Sequence, residues 1–218
     1  GAALALRNLF VPYDFVSAGD KTFGDLVTEK MSSYGDEWSG VNFADGQEGL
    51  YNAEKAKTEF AKAKEALQGE GVQFPVHLDL PVDQSSKLNV AQAQSLKQTI
   101  EKSLGSENVV IDINQMSSDD MNNVTSNAAN AAAEDWDISN GVGWGPDYQD
   151  PSTYLDILKT TSSENTKIFN GYDDPNNAAA AQVGLKDYDA LLDSAASETT
   201  DINARYDRYA QAQAWLED

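Results

Sequence analysis

The sequence predicts an α/β fold in which a mixed β-sheet carries packed helices. Two patterns support this prediction: helical runs with an apolar face, and alternating apolar strands between them. The chain has 218 residues, 40% of them hydrophobic, which suits one globular domain with a sizeable core or two small ones. Of these two, we expect residues 1–218 to form a single domain.

The middle of the chain, residues 51–143, is predicted to form the core of the fold in the order β-α-β-α-β. This segment begins with a helix over 53–67, capped by Asn52 and ended by Gly69 and Gly71, and the strands and helices of the core follow it. Pro75 lies within the first predicted strand and indicates an edge position or a strand start. The elements that follow the helix are strand 72–80, helix 88–104, strand 109–113, helix 119–133 and strand 135–142.

Two segments of different character flank this core. Residues 1–50 contain many aromatic residues without helical or strand periodicity, so we predict an irregular segment that wraps the core. Residues 144–218 are predicted to begin with a ligand loop and to continue as helices over 152–158, 175–196 and 202–216.

The charge and cysteine content exclude several classes of function. The formal net charge is −21, from 36 acidic and 15 basic residues. Such a field repels nucleic acid and anionic membrane surfaces, and it favours solubility or a weak attraction for cationic ligands. The chain has no cysteine, which excludes disulfides, thiol nucleophiles and zinc–thiolate sites. No apolar run approaches the length that spans a membrane.

The sequence does not predict catalysis, a metal or a cofactor. His77 is the only histidine, and its place in an alternating strand favours a surface or hydrogen-bonded role. No Gly-x-Ser-x-Gly elbow is present. None of the acidic pairs fits the spaced loop of a calcium site, so they are expected to cap helices or face solvent. These pairs are Asp119-Asp120, Glu134-Asp135 and Asp173-Asp174.

The most informative stretch is the Gly/Pro-rich run from Gly143 to Pro151, which follows a predicted strand and precedes a predicted helix. Loops at strand ends are favoured ligand positions. A carboxylate at Asp147, beside the indole of Trp144 on a stiff turn, suits a cationic group. The candidate ligand-binding residues are Asp147, Trp144, Tyr148, Gly143 and Gly145. The alternative is structural: Asp147 or Asp150 caps the next helix, and Trp144 belongs to the core.

This run, with the sequence Gly-Trp-Gly-Pro-Asp-Tyr-Gln-Asp-Pro and then Thr153-Tyr154-Leu155, resembles the signature of the family 5 extracellular solute-binding proteins. These are the oligopeptide- and dipeptide-binding proteins of bacterial peptide ABC transporters, and the lipoprotein members of Gram-positive bacteria are the most similar. Two weaker stretches, 51–57 and 205–213, agree with the family in order and spacing.

The resemblance implies one lobe, the carboxyl-side lobe, of a two-lobed, periplasmic-binding-protein-like fold. It implies that Asp147 holds the α-ammonium of a bound oligopeptide and that Trp144 lines the adjacent pocket. The implied partners are the opposing lobe of the same protein and the permease subunits of the transporter. The chain opens without a secretory signal, and the implied location is extracellular, anchored to the membrane through a lipid on a part of the protein not present in this chain.

The sequence leaves two alternatives open. No lysine or arginine occurs between Lys102 and Lys159, so an anchor for the peptide's carboxyl end has to come from elsewhere, which favours longer peptides. The alternative function is a carbohydrate-active enzyme or sugar-binding module, because solvent-facing aromatics and paired acids also suit sugars.

Overall fold

The computed structural model of the chain describes residues 8–45, 50–139, 143–162 and 178–218. The chain divides into two compact units: Gly1–Tyr51 together with Trp144–Asp218, and Asn52–Gly143. The segment boundaries expected after residues 50 and 143 thus lie within one residue of the boundaries between the units. That the two units act as a single domain stays a prediction.

The first unit is mainly helical. A short antiparallel hairpin, β1 (Ser17–Ala18) and β2 (Lys21–Thr22), leads directly into helix α1 (Phe23–Met31). The later helices are α5 (Ser152–Leu155), α6 (Ala178–Gln182), α7 (Leu185–Ser197) and α8 (Ile202–Glu217). Two 3₁₀ turns cover Asp36–Trp38 and Asp156–Leu158.

Helix α8 lies at the centre of this unit, where it contacts α1, α5 and α7. The core joins residues from both ends of the chain, and its largest buried side chains are Val11, Phe23, Val27, Met31, Phe43, Leu155, Tyr188, Leu192 and Tyr209. The prediction that residues 1–50 only wrap a core is therefore wrong, since they supply much of it.

Helix α1 could have been predicted from local signals. Its buried residues Phe23, Leu26, Val27 and Met31 follow helical spacing. Thr22 and Asp25 form a capping box, in which the Asp25 amide donates to Thr22 Oγ1 (3.3 Å) and the Thr22 amide donates to Asp25 Oδ2 (2.9 Å). The surrounding Gly and aromatic residues obscured this short periodic run.

The second unit is built around a parallel β-α-β arrangement. Its elements are α2 (Ala53–Gly69), β3 (Val76–Asp83), α3 (Lys87–Leu104), β4 (Val109–Met116), α4 (Ser118–Val124) and a 3₁₀ turn at Ala131–Ala133. Strands β3 and β4 pair in parallel from Val76 opposite Val109 to Asp83 opposite Met116. Helix α3 packs on them over a core of Leu80, Val82, Ala93, Val109 and Ile111.

The predictions for the first elements of this unit are confirmed. Helices α2 and α3 and strand β4 lie where they were predicted, and the side chains of Asn52 and Ser86 cap the two helices. Strand β3 begins at Val76 instead of residue 72. It starts directly after Pro75, which has no N–H to give to a ladder and so marks the strand start.

The helix predicted over 119–133 is wrong beyond residue 124. Polar side chains there bond to the backbone in place of helix propagation. The Thr125 hydroxyl donates to the Met121 carbonyl (2.7 Å), and Asn130 Oδ1 accepts from the Ala133 amide (3.0 Å). The chain therefore leaves the helix and forms only the 3₁₀ turn.

The strand predicted over 135–142 is not formed at residues 135–139, and residues 140–142 lie outside the described part of the chain. The hydrogen bonds between this segment and β3 converge on one residue, Asp79. The amides of Asp137 and Ile138 both donate to the Asp79 carbonyl (3.0 Å each), and the Asp79 amide donates to the Asp137 carboxylate (2.8 Å). Because the Asp137 side chain takes the place of a backbone acceptor, no ladder continues.

The helix predicted over 175–196 is divided in two. Helices α6 and α7 are separated at Val183 and Gly184, where Gly184 takes φ +77°, a conformation that favours glycine. Residues 175–177 lie outside the described part of the chain. The helices predicted over 152–158 and 202–216 are confirmed. Within the described ranges, none of the helices combines the length and apolarity needed to cross a bilayer.

Candidate functional site

The 143–150 turn is exposed along almost its whole length. Residues 143–149 are all exposed, and Asp150 at its end is partly buried. Trp144 and Tyr148 keep 41% and 55% of their surfaces accessible. The alternative in which Trp144 belongs to the core is therefore wrong.

Thr153, which is buried in α5, anchors the turn. The Trp144 indole Nε1–H donates to the Thr153 carbonyl (2.6 Å). The Asp147 amide donates to the Thr153 hydroxyl Oγ1 (2.9 Å). One buried residue thus fixes both the ring and the carboxylate-bearing residue that the sequence singled out.

The Asp147 carboxylate is exposed and takes no part in these anchoring contacts. Its side chain has no hydrogen-bond or ion-pair partner among the residues that the structure describes. The amide of Asp147, rather than its carboxylate, makes the contact with α5. Asp147 therefore does not cap the helix, and its carboxylate is accessible for an outside cation.

Asp150 has the structural role that the sequence left open. Its carboxylate accepts two parallel hydrogen bonds from Arg205, Nε to Oδ2 (2.8 Å) and Nη2 to Oδ1 (3.0 Å). It also accepts from the Ser152 amide (3.1 Å) and hydroxyl (2.6 Å). Burial opposes ionisation of this group, but the hydrogen bonds from Arg205 and Ser152 lower the pKa of Asp150 below its usual value.

Arg205 links the turn to two helices. Its Nη1 reaches the carbonyls of Ala195, Ala196 and Glu198 at the end of α7, at 3.2–3.3 Å. Its guanidinium also lies 5.0 Å from the centre of the Tyr209 ring. The base of the turn is therefore tied to both α7 and α8.

Two further contacts restrain the exposed part of the turn. The Ser152 and Tyr148 hydroxyls lie 3.2 Å apart, within hydrogen-bond distance, and the Gln149 side-chain amide donates to the Phe15 carbonyl (3.3 Å). Tyr148 thus contacts α5, the same short helix that holds Trp144 and Asp147.

The two glycines beside Trp144 are not required by packing. A Cβ added at Gly143 or Gly145 meets no described atom within 4 Å, and neither residue has the positive φ that strains other residues. The fold therefore leaves open space at both positions, and their role in ligand binding stays a prediction.

The other candidates have ordinary surroundings except Glu134, which is partly buried and accepts from the Trp136 indole, so the prediction that it caps a helix or faces solvent is wrong. His77 is exposed and its Nδ1 lies 2.8 Å from Asp112 Oδ2, in line with a hydrogen-bonded surface residue. Asp119 and Asp120 lie in the first turn of α4, where Ser117 is the cap. Asp173-Asp174 lies outside the described residues. In the described ranges, no group of three His, Cys, Asp or Glu side chains is placed to hold a metal.

Thr153 and the ion pair of Asp150 with Arg205 were not predicted as parts of the site. Arg205 stood in a stretch that resembles the solute-binding family, but nothing in that stretch showed its partner 55 residues away. The Asp-Pro-Ser-Thr run did predict the helix start. It did not show that Thr153 turns back to the residues before it.

No protein-family model matches the chain. Curated relatives do align with its whole length. The oligopeptide-binding protein AmiA of Streptococcus pneumoniae is 67% identical over 218 residues, and SarA of Streptococcus gordonii is 64% identical. AliA of Streptococcus pneumoniae is 60% identical.

The chain is similar along its whole length to streptococcal oligopeptide-binding proteins. The match covers 100% of the chain but 33% of each relative, so the chain spans about a third of their length. The resemblance inferred from residues 143–155 is confirmed. These relatives are named as peptide-binding proteins, and nothing among them supports the carbohydrate alternative.

Solved structures of peptide-binding proteins share the fold. The peptide-binding protein of a peptide ABC transporter superposes with a TM-score of 0.63 at 21% identity, over 97% of this chain and 74% of that one. The pheromone receptor PrgZ superposes with a TM-score of 0.59 at 20% identity, over 98% of this chain and 32% of that one. The α/β fold class predicted from the sequence is confirmed.

Proposed function

We propose that this chain forms the carboxyl-side lobe of a longer, extracellular oligopeptide-binding protein, which delivers peptides to the permease of an ABC transporter. The observation that carries the proposal is the 67% identity, over all 218 residues, to a protein named for oligopeptide binding. The chain acts by binding and not by catalysis, as the names of its relatives suggest. The opposing lobe, the permease subunits and a lipid anchor belong to the same proposal.

The 143–150 turn recognises the amino terminus of the peptide. The Asp147 carboxylate neutralises the α-ammonium, and the exposed Trp144 ring forms a wall beside it. A charge-assisted hydrogen bond of this kind is stronger than a neutral one and is directional, so it sets the register of the peptide. Backbone pairing with the peptide then provides affinity that is independent of its side chains.

Calorimetry on the longer protein that carries this chain tests the proposal. Peptides with a free amino terminus are expected to bind, while N-acetylated peptides of the same sequence lose about 2 kcal/mol or more, roughly 30-fold in affinity. Asp147→Asn removes the charge but keeps the backbone contact with Thr153, so it is expected to abolish this preference.

Asp187→Asn is the matched control. Asp187 is an exposed carboxylate in the first turn of α7, so the variant has the same change in net charge at another place in the unit. It should bind both peptides as the wild type does. Equal binding of free and acetylated peptides by the wild type would contradict amine recognition, and binding of oligosaccharides in place of peptides would contradict the function as a whole.

A further inference from the structure

Thr153 makes a double contact that the proposed function does not use. Its hydroxyl accepts from the Asp147 amide at 2.9 Å, and its carbonyl accepts from the Trp144 indole at 2.6 Å. Thr153 itself is only 4% exposed. It is therefore far less accessible than the two residues that it holds.

The hydroxyl contact determines where the Asp147 carboxylate can be. Pro146 fixes its own φ and narrows the backbone choices just before Asp147. The bond from the Asp147 amide to the Thr153 hydroxyl removes most of the remaining backbone freedom. The carboxylate can then move only by its own side-chain rotations, which is the kind of preorganisation that lowers the entropic cost of binding.

The contact is also independent of the Trp144 anchor. The ring is held by a backbone carbonyl, which any residue at position 153 provides, whereas Asp147 is held by a side-chain hydroxyl. A change of the Thr153 side chain therefore releases Asp147 and leaves the indole acceptor in place.

We infer that Thr153 is a positioning residue that gives the 143–150 turn its selectivity for a free α-ammonium. The inference rests on the proposed function, since it assumes that Asp147 meets that group. Thr153 does not touch the peptide; it holds the Asp147 backbone so that the carboxylate is ready for the ammonium.

Two substitutions at position 153 distinguish the effect of the hydroxyl from the effect of the side chain's shape. Thr153→Val keeps the branched shape and loses the acceptor, while Thr153→Ser keeps the acceptor. Thr160→Val is the matched control, because Thr160 is also buried and its hydroxyl bonds to Asp189, away from the turn. All three variants are made in the longer protein that carries this chain.

Two measurements are made on each variant. Residue-resolved hydrogen exchange reports the Asp147 amide, which should exchange roughly tenfold faster in Thr153→Val and at the wild-type rate in Thr153→Ser and Thr160→Val. Calorimetry reports the ratio of affinities for free and N-acetylated peptides. Thr153→Val should lower this ratio about three- to tenfold, the size of one neutral hydrogen bond, by weakening only the free peptide.

The outcomes distinguish the inference from the function on which it rests. A wild type that shows no preference for the free amine overturns amine recognition and the inference together. A wild type with that preference, which Thr153→Val keeps in full although its Asp147 amide exchanges faster, overturns the inference alone. An unchanged amide in Thr153→Val also overturns it, since the hydroxyl then does not hold the turn.

Discussion

Replacing Arg205 by lysine keeps a positive charge beside Asp150 but removes the planar group that holds the base of the turn. Arg205 makes two parallel bonds to the Asp150 carboxylate, at 2.8 and 3.0 Å, and reaches three carbonyls at the end of α7. A lysine ammonium is a single point with three donors, so it cannot reproduce the bidentate contact and the carbonyl contacts together.

The expected loss follows from these contacts. A hydrogen bond to a charged group contributes about 1.5–3 kcal/mol. The side chains of Arg205 and Asp150 are 20% and 17% exposed, so solvent screening reduces this contribution only partly. With one contact to Asp150 kept by lysine, we expect Arg205→Lys to lower the free energy of unfolding by about 2–3 kcal/mol.

The assay is urea unfolding followed by circular dichroism, with Arg208→Lys as the control. Arg208 is on the same helix, its side chain is 42% exposed, and it contacts the Ser194 carbonyl and Glu198. Arg208→Lys should therefore lower the free energy of unfolding by less than about 0.5 kcal/mol.

The pKa of Asp150 is lowered in the folded state. Its ion pair therefore stabilises the fold at pH values above the unfolded pKa of about 4, and this contribution is lost as the pH falls through the folded pKa. The wild type and Arg205→Lys should therefore converge in acid. Equal losses for the two arginine variants near neutral pH would refute the reasoning.

Two further predictions concern Glu217 and Gly145. Burial raises the pKa of Glu217 to about 7, although the Gln213 amide donates to it. The folded state thus holds this proton more tightly than the unfolded chain does, so stability is highest below the unfolded pKa and is lost as the pH rises through about 7. Glu217→Gln should remove this dependence and stabilise the protein at pH 8 by about 1–3 kcal/mol in the same urea assay; a variant that stays as pH-sensitive as the wild type would contradict it. Gly145→Ala meets open space, so it should leave the unfolding free energy within about 0.5 kcal/mol but weaken peptide binding measured by calorimetry, and unchanged binding would show that the peptide does not approach Gly145.

The parts of the fold that were predicted correctly depend on local signals. Asn52 and Ser86 cap α2 and α3, and both helices are rich in residues of high helix propensity such as Ala, Lys, Gln and Glu. The failures have more than one cause: local side-chain bonds from Thr125 and Asn130 after α4, and a contact between residues far apart in sequence at 135–139. The segment after α4 has no apolar periodicity, and the segment at 135–139 meets β3 through the Asp137 side chain.

The candidate site shows the same division. A Gly/Pro-rich run with aromatics predicts an exposed turn, and the exposure of Trp144 and Tyr148 agrees with that prediction. The anchors of the turn were not predictable, because they join residues through the tertiary fold. Asp150 meets Arg205 across 55 positions of the chain, and no spacing rule connects them.

Asp147 and Asp150 lie three residues apart on one turn, and their contacts give them different roles. The Asp150 carboxylate accepts hydrogen bonds from Arg205 and Ser152, so it is part of the scaffold. In a chain with a net charge of −21, an exposed carboxylate is not in itself evidence of a binding site. Asp147 differs from a merely solvated acid because its backbone is pinned to the buried Thr153, beside an indole pinned to the same residue. Solvation does not require a fixed position, whereas recognition of a cation does.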